Sequence, residues 1–89
     1  MKVAVWDTYV KRKDGRKMHF DIIVPEDINN EEIVYSYGME YLKKKNIESA
    51  GLTSKECKFC HIEKANENMI ADLNSTGYHI VEMENCNKY

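Results

Sequence analysis

Proline is almost missing from this chain. Pro25 is the only one in 89 residues, alongside four glycines and a single tryptophan. So few backbone breakers exclude a Pro/Gly-rich disordered tract, and no linker, repeat or low-complexity stretch divides the chain. Charge of one sign is also lacking. A net charge of −2 argues against general nucleic-acid binding, which calls for a strongly basic face. Long apolar runs are absent too. Stretches such as Ile22-Ile23-Val24 fall far short of the ~18 residues of a membrane helix. The N-terminal run Met1-Lys2-Val3-Ala4-Val5-Trp6 meets Asp7 too early for a signal peptide. A cytoplasmic location is therefore expected, where three cysteines serve as thiols or metal ligands before they form disulfides.

What is present fits one small globular domain. Hydrophobic residues make up 43% and charged residues 31%, which excludes intrinsic disorder. A chain of this length buries only about 60% of its unfolded surface, so its core is small and self-association to a homo-oligomer is expected. An exposed strand edge or the Tyr35 side of the first helix offers the surface.

Two β-like segments open the chain. Val3 to Val10 is rich in β-branched and aromatic residues, and Met18 to Val24 alternates Met18, Phe20, Ile22 and Val24 onto one face. Asp14-Gly15 between them signals a hairpin turn. Asn29 with Glu32, and Ile28 with Ile33, then announce a helix start. Ile33, Val34, Tyr37, Gly38, Tyr41 and Leu42 form its apolar stripe, acidic residues lie at its start and Lys43-Lys44-Lys45 at its end. Gly38 inside the stripe implies a close neighbour. Asn66 caps a second, short helix with Met69, Ile70 and Leu73 on its apolar face; Gly77 ends it, and Tyr78 to Met83 reads as a strand. Between the helices the chain is ambiguous. Thr53 and Glu56 make a capping box for a short helix, while Cys57 to Ile62 also reads as a strand. The expected fold is α+β, a largely antiparallel sheet with helices on one face.

The densest chemistry is Cys57-Lys58-Phe59-Cys60-His61. Its letters match a c-type haem attachment site, which requires export that nothing here provides. Cys57, Cys60, His61 and Cys86, with His79 as an alternative ligand, supply the four soft donors of a zinc site. Cys57 and Cys60 also have the spacing of a thiol redox pair, given a helix start that lowers one thiol's pKa. Simple burial is the third reading, since free cysteine packs as a small hydrophobe. If residues 57–62 form a strand, the two side chains point to opposite faces and neither site forms.

A second polar set lies inside the hairpin. With a two-residue turn Thr8 meets Asp21 and Asp7 falls on the apolar face. With a three-residue loop Asp7 pairs with Asp21 and Tyr9 with His19. The second register leaves no carboxylate against the core and is preferred. It brings Asp7, His19 and Asp21 together as candidate acid, base and orienting groups, or else as a solvated polar face. Lys11, Arg12, Lys13, Arg16 and Lys17 surround the turn and could take an anion or simply keep the tip soluble.

These same blocks carry a resemblance. Val5-Trp6-Asp7-Thr8-Tyr9-Val10, Met18-His19-Phe20-Asp21, Leu52 through His61, and Glu82-Met83-Glu84-Asn85-Cys86 resemble a small prokaryotic family known as domain of unknown function number twenty twenty-four. The resemblance spans nearly the full length. Trp6 stands where similar members often have tyrosine, and Asn85 where they have glycine; neither change removes a possible ligand. It implies a compact α+β fold and a cytoplasmic bacterial protein, and brings no activity, substrate or site. The reading that results is a small binding or interaction module with a Cys/His zinc site. Its alternative is a thiol-redox protein or an enzyme using the Asp7/His19/Asp21 face.

Overall fold

The computed structural model describes residues 1–87, the Ser54 side chain excepted. Its strands are β1 (Lys2–Lys11), β2 (Lys17–Pro25), β3 (Cys57–Lys64) and β4 (His79–Glu84); its helices are α1 (Glu31–Lys45) and α2 (Glu67–Ser75). The four strands form one antiparallel sheet in the order β3-β1-β2-β4. This is the expected α+β class.

The hairpin register is the one that keeps carboxylates off the core. Asp7 stands opposite Asp21 and Tyr9 opposite His19. Arg12 and Arg16 close a three-residue loop through Arg12 N–H donating to the Arg16 carbonyl at 2.9 Å, and Gly15 takes φ +91° there. Because side chains alternate along a strand, this register sorts the sheet into two unlike faces. Ala4, Trp6, Val10, Met18, Phe20, Ile22 and Val24 form one apolar face, covered by Val34, Tyr41 and Leu42 of α1. Removing Phe20, Met18 and Ile22 fully from water contributes about 1.5–3 kcal/mol each.

α1 forms where its capping and charge signals place it, one residue later than expected. Asn30, not Asn29, caps it by accepting from the Glu32 N–H at 2.8 Å. Gly38 is buried against the sheet, and a Cβ there would lie 3.2 Å from Ile22 Cδ1. That close approach is the reason a glycine interrupts the stripe.

One expectation is corrected. The helices do not share a face: α2 packs Met69 and Leu73 against Val3, Val5 and Ile23, on the side of the sheet opposite α1. Both strands alternate, so their odd positions demand cover as well wherever they are apolar. Only Val3, Val5 and Ile23 are, and a nine-residue helix suffices. The rest of that face carries Asp7, Tyr9, His19 and Asp21. α2 therefore covers half a face and leaves the other half polar.

The ambiguous segment resolves into both of its alternatives in succession. Thr53 Oγ1 lies 3.1–3.2 Å from the Glu56 carboxylate, residues Ser54–Glu56 make one 3-10 turn, and β3 begins at Cys57. Asn85 has φ +53°, a left-handed conformation that asparagine tolerates better than most residues.

Candidate functional site

The uncovered half-face is built by the two central strands. β1 supplies Asp7 and Tyr9, β2 supplies His19 and Asp21, and the register sets them side by side. His19 Nε2 lies 3.6 Å from Asp21 Oδ1 and 3.9 Å from Asp7 Oδ1. One donor atom from each residue falls within 4.8 Å of the other two. His19 Nε2 and Asp21 Oδ1 are both buried and have no hydrogen-bond partner among the described residues. Buried polar atoms are almost always satisfied, so this pair calls for an explanation. The Tyr9 ring stacks on the imidazole at 4.1 Å and 8° between planes, fixing the ring's orientation.

Electrostatics act on the same cluster. Burial pushes the Asp21 carboxyl up to about 6, helped by the hydrogen bond and charge of Asp7 and opposed by His19 and His61. Two carboxylates this close to each other resist being charged together. A proton or a cation between them relieves that repulsion.

β3 brings further donors to the border of this cluster through an irregularity in its pairing. Val5 stands opposite His61 but Trp6 opposite Phe59, so Cys60 is the extra residue of a β-bulge. Bulges re-aim side chains and are frequent beside functional sites. Here the bulge turns Cys60 toward Asp7. Lost hydration, then the charge and hydrogen bond of Asp7, hold the thiol above its ordinary value. His61 Nδ1 lies 3.1 Å from Cys60 Sγ, and its Nε2 lies 2.9 Å from Glu63 Oε1.

The Cys57/Cys60/His61/Cys86 set expected from the sequence is not brought together. Cys57 is fully buried in the core beneath α1, where burial raises its thiol pKa. Cys86 packs in that same core and donates its thiol to the His19 carbonyl at 3.3 Å. Cys60 is exposed on the other face, with His61. All three cysteines are free thiols. Among the described residues, the one group of three or more His, Cys, Asp or Glu side chains within ligand distance is Asp7, His19 and Asp21. The physical reason is strand geometry: residues three apart on a strand face opposite sides. The same geometry separates Cys57 from Cys60 as a redox pair. His79 is engaged elsewhere, its Nδ1 2.6 Å from Asp72 Oδ2.

The hairpin triad was legible because strand alternation and turn length determine its neighbours. The approach of Cys60 and His61 was not, since no residue in β3 announces a bulge.

A family model described as a domain of unknown function, DUF2024, matches residues 1–83. No curated protein matches the chain. Among solved structures, the NMR structure of protein NE1680 from Nitrosomonas europaea is similar, at 41% identity and a TM-score of 0.83, covering 98% of this chain and 100% of that one. No described helix is long and apolar enough to cross a membrane.

Proposed function

The chain belongs to the DUF2024 family, a family of unknown function, and from that starting point we propose that it is a small cytoplasmic binding module that holds a divalent transition metal. Asp7, His19 and Asp21 are the ligands. The observation that carries this reading is the convergence of two carboxylates and one imidazole whose inner atoms, His19 Nε2 and Asp21 Oδ1, are buried without a hydrogen-bond partner among the described residues. A cation satisfies both atoms at once and removes the repulsion that raises Asp21. Two oxygens and one nitrogen suit zinc, manganese or iron, with zinc the reference ion. Three protein ligands would leave a coordination position open.

Metal analysis of untagged protein, purified under reducing conditions without chelator, tests this. About one equivalent per chain is expected in the wild type and little in Asp21→Asn; below about 0.2 equivalents in the wild type the reading is lost.

A second reading rests on a different observation. Cys60, His61 and Glu63 form a thiol–imidazole–carboxylate chain through contacts of 3.1 and 2.9 Å, an arrangement that suits a nucleophilic cysteine. Against it, lost hydration and then the neighbouring Asp7 disfavour the thiolate. The pH profile of Cys60 alkylation separates the two readings. A reactive thiolate at neutral pH favours the nucleophile, and a thiol slower than free cysteine favours the metal site.

A further inference from the structure

Beside Asp7 the surface opens into a groove of about 470 Å³ lined by Asp7, Tyr9, Lys17, Lys55, Glu56 and Lys58. Its size falls within the usual range for small-molecule sites. Its three lysines come from three chain segments. Lys58 stands directly opposite Asp7 in the β1–β3 ladder, Lys17 comes from the first residue of β2, and Lys55 from the 3-10 turn.

The charges in this groove are not balanced among themselves. Glu56 is turned to Thr53 Oγ1 at 3.1–3.2 Å. Asp7 is turned to His19 and Asp21. Among the described residues, Lys17, Lys55 and Lys58 make no ion pair with a carboxylate. Lys17 Nζ instead lies 5.1 Å from the centre of the Tyr9 ring, the same ring that stacks on His19. Tyr9 is thus a shared wall between the metal ligands and the lysine groove.

We infer that this groove binds a small dianion of the phosphate or phosphomonoester class, one oxygen completing the metal's coordination and the others held by Lys17, Lys55 and Lys58. The inference rests on the metal reading above and adds its ligand. Without a cation, an entering anion meets the Asp7 carboxylate. With one, the ion cancels the charge of the two carboxylates and the three ammonium groups act in concert. Anion binding therefore depends on metal, and by linkage the anion tightens metal binding by the same factor.

Co2+ is the probe, because its visible absorption reports a change of ligand. Titration with inorganic phosphate should shift the Co2+ band saturably, and calorimetry should find phosphate at least about tenfold weaker on metal-free protein. Lys17→Met and Lys58→Met should each weaken phosphate by about fivefold while changing Co2+ affinity by no more than about threefold. Glycerol phosphate titrated in parallel separates an ester from the free ion by which saturates first. If Co2+ binds and phosphate leaves its spectrum unchanged, or if both lysine variants bind phosphate as the wild type does, the anion site is overturned and the metal reading stands. If Co2+ does not bind at all, both fall.

Discussion

Asp21→Asn should make the metal-free protein more stable at neutral pH while removing its metal site. The side chain is 17% exposed and shares its surroundings with Asp7. Its carboxyl is raised from 3.8 to about 6, roughly two pKa steps at about 1.36 kcal/mol each, or near 3 kcal/mol before screening. Asp7 is 38% exposed, so water reaches the pair and about 1–2 kcal/mol is the working figure. The sign follows from proton counting. Between about 4 and 6 the folded chain holds a proton on Asp21 that the unfolded chain has released, so folding loses stability as pH rises through that window. The penalty is absent below about 4 and complete above about 6. Asparagine never ionises and escapes it. Thermal unfolding in the presence of chelator, at steps from pH 4 to 8, measures the difference between variant and wild type. That difference should open across pH 4 to 6 and level off at about 4–16 °C in melting temperature, given about 4–8 °C per kcal/mol for a domain of this size. A variant advantage that is independent of pH, or a variant less stable than wild type at pH 8, would refute the proposed repulsion. With saturating Zn2+ the order should reverse, since only the wild type gains from binding.

Other consequences are equally direct. Zinc affinity should fall by about tenfold per pH unit below about 6, because Asp21 must release its proton to the metal; competition with a chromophoric chelator measures it. Asn66→Ala should cost about 1 kcal/mol, read as a lower denaturation midpoint, because Asn66 Oδ1 accepts from the Met69 N–H at 2.9 Å at the start of α2. Gly77→Ala should cost about 1–2 kcal/mol on the same scale, since φ is +92° there and a Cβ would lie 3.0 Å from the Tyr37 hydroxyl.

Local rules made much of the fold legible. Alternation in Met18 to Val24 and the charge signals of α1 are properties of a few neighbouring residues and hold in the structure, while the cap falls on Asn30, one residue beyond the expected Asn29. Register was readable because only one loop length spares Asp7 from the core. The side taken by α2 was not, because Met69 and Leu73 fit any apolar surface, and which surface is free depends on where α1 has already docked.

The same division holds for the site. The sequence by itself determined that Asp7, His19 and Asp21 meet, since the loop length that keeps Asp7 off the core sets them side by side on one face of the hairpin. Only the tertiary structure decided the fate of the cysteines. Once β3 pairs with β1, strand parity sends Cys57 into the core and a bulge delivers Cys60 to Asp7. Spacing along the chain names possible partners, but a strand's two faces determine which of them touch.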